Sequence, residues 1–182
     1  MVDLERRKTL AYHLRHLVIG RISNDEFEEE MQDNVSFGYL PEQYYSSKQA
    51  KLDDPIIRPM LELSWCLYSD LGTHKLTGKH QLADEELKKI ARIILFLNSN
   101  FEYEWPYFDR INPLIRFSFK DLLFTVLSLG QHYKVKLNEW KVQFEEFKNA
   151  GDHDLWPFIS KEQYEQQLKK QPFLWGRKPD RI

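Results

Sequence analysis

The sequence predicts an all-α fold, an irregular bundle of helices within a single domain. Apolar residues recur in several segments at the i, i+3, i+4, i+7 spacing that places them on one face of a helix. No segment shows the alternation of apolar and polar residues typical of a strand. The chain has 182 residues, 42% of them hydrophobic and 30% charged, which is sufficient for one core without disulfides or a structural metal.

The first two helices have clear ends. The first is predicted over residues 3–19, and Gly20 stands where a helix often ends on a left-handed glycine. Ser23 and Glu26 have the spacing of a capping box, which predicts that a short acidic helix begins there and runs to about Asp33.

The middle of the chain contains two further helices. After one predicted helical turn at Pro41, a helix is expected over residues 54–71, with Asp54 as its N-cap. Asp84 is predicted to cap the next helix, whose apolar end at residues 93–97 should be buried all round.

The most apolar segment lies at Leu114–Leu129 and predicts a helix near 113–130 at the centre of the bundle. It is shorter than the ~20 residues needed to cross a bilayer and is interrupted by charges, so we expect a core helix and no membrane span. An amphipathic helix is predicted over 131–150, and a last helix from Ser160 to Lys170. The tail, residues 172–182, should pack back on the body.

Charge and cysteine content indicate which partners and which cellular compartment the sequence favours. The chain has 26 Lys and Arg against 28 Asp and Glu, a balance that argues against nucleic acid as a partner. Arg6, Arg7 and Lys8 are expected on a solvated face of the first helix. The single cysteine, Cys66, lies in an apolar helix, so we expect a core residue in a protein of the reducing cytoplasm.

The loop at residues 70–80 is the densest polar cluster. Asp70, His74 and His80 could together hold a metal ion or share acid–base chemistry, because neutral imidazole is a good ligand that titrates near neutral pH. The two histidines are six residues apart and fit no rigid metal-binding motif. An ordinary solvated loop between helices explains the same residues.

Two aromatic connectors carry the remaining candidate binding residues. Glu102 and Glu104 are two apart in an extended segment and could line a cleft as an acid–base pair, with Trp105 beside them. Alternatively, both carboxylates face solvent and an aromatic neighbour is buried. The second connector, residues 151–158, contains three adjacent candidate ligands: Asp152, His153 and Asp154. There too, a helix end, a turn and buried aromatic side chains are the simpler interpretation.

Four segments together resemble a family of uncharacterised bacterial hypothetical proteins: residues 20–27, 76–80, 101–106 and 151–158. The resemblance spans most of the chain and implies a bacterial, cytoplasmic protein. It carries no activity, ligand or catalytic residue.

No complete catalytic signature is present, and no cofactor is predicted. The sequence therefore favours a non-enzymatic protein that binds or regulates a protein partner, as immunity proteins do. The alternative is a metal-assisted hydrolase built from the His, Asp and Glu candidates. The oligomeric state is left open.

Overall fold

The computed structural model describes residues 1–36, 38, 53–69, 71–106 and 118–170. Within these ranges it contains seven α-helices and no strand, which confirms the all-α prediction. The helices are α1 (Leu4–Val18), α2 (Asn24–Asn34), α3 (Ile57–Trp65), α4 (Asp84–Leu97), α5 (Phe119–Leu127), α6 (Gln131–Lys148) and α7 (Lys161–Lys170). Two short 3-10 turns lie at Gly78–His80 and His153–Leu155.

The chain divides into two compact units. The first takes in Met1–Tyr103 and resumes at Leu155, so it holds α1 to α4 and α7. The second, Glu104–Asp154, holds α5 and α6. The single domain stays a prediction, and the helical turn at Pro41 and the tail 172–182 lie outside the described residues.

The core of the first unit forms around α1 and α4. Helix α1 packs against α2, α3 and α4, while α7 packs against α4. Helix α1 contributes Leu10, Leu14 and Leu17, all buried, at helical spacing. Residues 93–97 of α4 are all buried, as predicted for that end of the helix.

Local signals define most helix ends. The capping box at α2 is confirmed, since the Ser23 hydroxyl accepts from the Glu26 amide at 3.2 Å and the Glu26 carboxylate accepts from the Ser23 amide at 2.7 Å. Gly20 has a positive φ of 67° just after α1. The predicted cap of α4 is wrong by one residue, because Ala83 occupies the N-cap and its amide donates to Glu86.

Helix α3 is shorter than predicted. It begins at Ile57 rather than at Asp54 and ends at Trp65 rather than at residue 71. The Cys66 and Leu67 amides donate to carbonyls only three residues back, which tightens the last turn and ends the helix. Cys66 is exposed, so its predicted place in the core is wrong: it lies off the helix face that carries the buried Met60 and Leu61.

Arg6 and Arg7 are buried, which corrects the prediction of a solvated basic face. The Arg7 side chain is 0% exposed and pairs with Asp54. Arg6 pairs with Asp53 at 3.0 Å and donates to the Val35 carbonyl. These partners lie far away in sequence, so the local run of charges could not reveal them.

The predicted central helix near 113–130 is also corrected. Its described part, α5, has no buried residue, and the core of the first unit is built on α1 and α4. Residues 107–117 lie outside the described part of the chain. Within the described ranges, no helix combines the length and the apolar character needed to cross a membrane.

Candidate functional site

His74 and His80 come together in the loop Thr73–Leu82. Their ring centroids lie 4.4 Å apart with the planes tilted by 35°. Asp70, the third predicted member of this cluster, lies outside the described residues. The two histidines therefore form the pair that the sequence predicted as a candidate site.

Asn24, the first residue of α2, holds this loop through three hydrogen bonds. Its backbone N–H donates to the His74 carbonyl at 3.0 Å, and its side-chain oxygen accepts from the His74 backbone N–H at 2.7 Å. Its side-chain amide donates to the Gly72 carbonyl at 3.3 Å. The loop thus satisfies polar groups at the start of a helix, where backbone donors lack partners inside the helix.

Two more contacts hold the start of the loop. The Thr73 hydroxyl donates to the Asp25 carboxylate, and the Lys75 ammonium donates to the Arg21 carbonyl at 2.9 Å. The backbone course around the histidine pair is therefore set by α2 and by the turn that precedes it.

The electrostatic environment of the His80 ring disfavours a further positive charge. Partial burial, then the neighbouring His74, then Lys79 lower the pKa of His80 below its ordinary value. His74 Nδ1 lies 2.8 Å from the Gly72 carbonyl, so that nitrogen carries the proton and donates. When the ring carries only this proton, Nε2 of His74 is an acceptor that a cation or a proton donor could use.

A metal centre needs more than this pair. In the part of the chain that the structure describes, no three His, Cys, Asp or Glu side chains approach one point closely enough to hold a metal ion. The three-residue convergence that the hydrolase alternative requires is therefore not formed by the described residues.

A second histidine group lies on α1. The His16 ring packs edge-on against Tyr12 with centroids 4.0 Å apart, and Arg21 lies 3.4 Å from its Nε2. Partial burial, followed by the charges of Arg21, His13 and Arg15, lowers the pKa of His16. His16 is thus held mostly neutral at physiological pH.

The two aromatic connectors meet within the first unit. Trp156 Nε1 donates to the Tyr103 hydroxyl at 3.2 Å, and their rings are nearly perpendicular at 6.5 Å. Phe158 is 0% exposed and packs edge-on against Phe101 at 6.3 Å and Phe96 at 5.0 Å. These contacts join the segments through packed aromatic rings rather than through a polar cleft.

The connectors also meet within the second unit. Trp105 is 3% exposed, and its ring lies 4.8 Å from His153 and 5.3 Å from Phe147. His153 Nε2 lies 3.0 Å from the Lys148 carbonyl at the end of α6. This arrangement ends the helix and places the exposed imidazole against the rings of Trp105 and Phe147. These contacts indicate a structural role for His153.

The acidic candidates are exposed. Glu102 faces solvent 3.7 Å from the N-terminal amine, and Glu104 is exposed as well. Asp152 accepts a hydrogen bond from the Asp154 amide at 2.9 Å, which forms a turn, and both carboxylates are exposed. The buried aromatic neighbour that the sequence offered as the alternative is Trp105.

The α5–α6 hairpin carries the polar cluster that sequence reasoning missed. The Asp121 carboxylate accepts from His132 at 3.0 Å, from Lys136 at 2.7 Å and from the Ser118 hydroxyl at 2.6 Å. These bonds, with His132 first, hold the pKa of Asp121 far below its usual range. The capping-box spacing of Ser118 and Asp121 was the one local signal available.

Helix α5 directs its polar face to α6 and its apolar face to solvent, the reverse of an ordinary amphipathic helix. Its polar residues Asp121 and Ser128 bond to α6, the latter by accepting from the His132 amide at 2.9 Å. Its apolar residues face away from those bonds and are exposed. Five of them follow the spacing i, i+3, i+4, i+7, i+8 and are called the apolar stripe: Phe119, Leu122, Leu123, Val126 and Leu127.

The apolar stripe is the largest exposed apolar feature of the described helices. Exposure of its residues runs from 49% at Leu123 to 81% at Phe119. The adjoining Phe124 and Leu129 are exposed as well. Soluble proteins rarely leave so continuous an apolar patch without a contact that covers it.

Compared with known proteins, the chain matches no family model, no curated protein and no solved structure. The resemblance to bacterial hypothetical proteins therefore stays a prediction, and the site's own chemistry is the basis for function.

Proposed function

We propose that this chain is a non-enzymatic protein-binding module of the bacterial cytoplasm and that the apolar stripe of α5 is its contact surface. The observation that carries the proposal is the orientation of α5, with polar residues turned to α6 and apolar residues turned outward. A helix with this orientation gains stability when another apolar surface covers it.

The ion pairs inside the hairpin explain why α5 keeps this orientation. In the present orientation Asp121 keeps its ion pair with Lys136 and its hydrogen bond to His132. Turning the stripe towards α6 would separate Asp121 from both of these residues of α6. The stripe is therefore left available to a partner.

Site-specific photo-crosslinking in producing cells tests the proposal. A photoreactive amino acid at Leu127 should give protein adducts, whereas the same amino acid at Leu71, a 99% exposed leucine of the first unit, should give none. A purified adduct partner should then bind the wild-type chain and fail to bind Leu127→Glu. Equal adducts at both positions, or none at Leu127, would contradict the proposal.

A metal-assisted hydrolase remains the second candidate, and the close approach of His74 and His80 is the observation that favours it. Two imidazoles can begin a zinc site, although a stable site has at least three protein ligands. Zinc titration by calorimetry should show stoichiometric binding that His74→Ala abolishes. Absence of binding to the wild-type chain would end this alternative.

A further inference from the structure

The loop 73–82 packs into the core of the first unit at two points. Leu76 is 3% exposed, and Leu82 is partly buried against the same core. The residues between these leucines, 77–81, are Thr, Gly, Lys, His and Gln, and they contain a single 3-10 turn, Gly78–His80. The backbone hydrogen bonds of this turn close on the loop itself. The segment 77–81 is therefore held against its neighbours by side chains.

Two side-chain contacts hold this segment in place. The Thr77 methyl group lies against Gly20, in the turn that leads from α1 to α2. The His80 ring stacks on the His74 ring at 4.4 Å, and His74 is fixed because its backbone N–H and carbonyl both bond to the first residue of α2. The ring contact therefore ties the segment 77–81 to the part of the loop that α2 holds.

Protonation of both rings would oppose this contact. Two unit charges about 4 Å apart repel each other even in bulk water, whereas neutral imidazoles do not. The ordinary pKa of imidazole is about 6.5, so both rings gain charge in mildly acidic solution. Because few other contacts hold the segment, a modest repulsion is enough to release it.

The neighbouring cations add to the repulsion. Partial burial first, then His74 and Lys79, lower the pKa of His80. Lys75 lies in the same loop and donates to the Arg21 carbonyl at 2.9 Å, so the adjoining turn is positively charged as well. A neutral His80 is thus favoured while the ring contact is in place.

The carboxylates at the start of α2 do not distinguish the two arrangements of the segment. Asp25 accepts a hydrogen bond from the Thr73 hydroxyl. Glu26 accepts from the Ser23 backbone N–H and hydroxyl. Both carboxylates belong to the helix that holds His74, and that side of the loop keeps its bonds to α2 whether the rings are stacked or apart. Their attraction for a protonated His74 is therefore present in either case.

The first turn of α4 is acidic as well, with Asp84, Glu85 and Glu86. Glu85 pairs with Lys88 at 2.7 Å, and Glu86 accepts from the backbone N–H of the N-cap residue at 2.9 Å. The charged groups that act on His80 are instead His74 and Lys79. Within the described part of the chain, no carboxylate pairs with His80 to stabilise its charged form.

We infer that residues 77–81 form a pH-sensitive switch on the turn between α1 and α2. When His74 and His80 are both neutral, their rings stack and the segment covers the turn at Gly20. When both are protonated, the rings separate and the segment moves off the turn. The closed state is favoured above about pH 6.5 and loses population as the solution is acidified below that value. The switch goes beyond the proposed function, because it uses no residue of the apolar stripe.

Proton NMR of the full chain tests the switch, with EDTA present so that no metal ion occupies the histidine pair. The nuclear Overhauser effect between the Thr77 methyl group and the Gly20 α-protons reports the closed segment. It should be strong at about pH 7.5 and lose more than about half of its intensity at about pH 5. The effect between the rings of Phe96 and Phe158, which pack in the core, should persist and shows that the unit stays folded.

Variants that remove one charge separate the switch from a general effect of acid. His80→Gln and His74→Gln each leave a single ionisable ring in the pair. Each should therefore keep the effect between Thr77 and Gly20 at both pH values. The matched control is His153→Gln in the second unit, which should lose the effect in acid as the wild type does.

The outcomes decide the inference. Loss of the effect in the wild type in acid, with retention in both glutamine variants, supports the switch. If the wild type keeps the effect while the ring protons of both histidines titrate, the rings turn apart in solvent without moving the segment, and the inference is overturned. Loss in the two glutamine variants as well also overturns it, because charge on the ring pair is then not the cause.

Discussion

The Arg7 guanidinium and the Asp54 carboxylate form a two-bonded ion pair with both side chains fully buried. Nε donates to Oδ2 at 2.6 Å and Nη2 donates to Oδ1 at 2.8 Å. The remaining Nη1 donates to the carbonyls of Ser99 at 3.2 Å and Phe101 at 2.8 Å. One side chain of α1 thus links the segment before α3 to the segment after α4, and four of its five N–H donors are used in these bonds.

Removing the carboxylate of this pair should be strongly destabilising. We expect Asp54→Ala to lower the free energy of unfolding by about 3–5 kcal/mol, since Arg7 would remain charged and buried without its counter-ion. Urea denaturation followed by circular dichroism measures the change. Lys161→Ala, which breaks an exposed pair with Glu165, is the control and should leave the midpoint unchanged. A loss below ~1 kcal/mol for Asp54→Ala would contradict the role given to the pair.

Gly20 should resist substitution for two separable reasons. Its φ of 67° costs an L-residue about 1–2 kcal/mol, and a Cβ there would overlap the Thr77 methyl group. Gly20→Ala should therefore lower thermal stability more than Gly78→Ala, where φ is also positive but the space is open. Adding Thr77→Ala to Gly20→Ala should remove the difference. Equal stability of Gly20→Ala and Gly78→Ala would show that the overlap with the Thr77 methyl group does not affect stability.

The Asp121 cluster should make the second unit sensitive to acid. Because folding lowers the pKa of Asp121 from the ordinary 3.8, its contribution to stability is complete above that pH and is lost as the pH falls below it. Asp121→Asn should lower stability at neutral pH and flatten this acid dependence. Amide hydrogen exchange of α5 at several pH values provides the measurement. The control is Glu139→Gln on the exposed side of α6, which should keep the wild-type profile.

The histidines of the first unit should impose a second pH dependence. Folding lowers the pKa of both His16 and His80 below 6.5, so the folded state favours their neutral rings. The unfolded chain therefore binds protons more readily at these two positions, so the folded state loses stability as the solution is acidified below pH 6.5. His80→Gln and His16→Gln should each reduce the slope of unfolding free energy against pH below 6.5. Ring-proton NMR titration should place both apparent pKa values under the ordinary one, and a value at or above 6.5 would refute this account.

Local chemistry made parts of the fold predictable. The capping box of Ser23 and Glu26 involves residues three apart, and the left-handed end of α1 needs only Gly20. The buried end of α4 followed from an uninterrupted apolar run. Each of these features depends on neighbours in sequence, so a reading of the sequence could find them.

Other features depend on distant residues. Arg7 looked like a surface charge because its partners lie 47 and 92 residues away. The apolar content of α5 predicted the helix correctly, but hydrophobicity does not say which surface covers a helix, and α5 had been expected at the centre of the core. Of the candidate site, the His74 and His80 pair could be named in advance. Its attachment through Asn24 could not, because that contact spans 50 residues.

The interrupted course of the first unit has a consequence for synthesis on the ribosome. Phe96 packs against Phe158, and Arg92 donates to the Trp156 carbonyl, so the core around α4 closes only after the whole second unit has been translated. At a synthesis rate of 5–20 residues per second, the ribosome needs roughly 3–12 s to translate the chain between α4 and Phe158, and the apolar face of α4 stays uncovered for that time. During that interval the nascent chain would present an exposed apolar surface that chaperones can bind. A pause in translation between Tyr103 and Leu155 would expose this surface for longer.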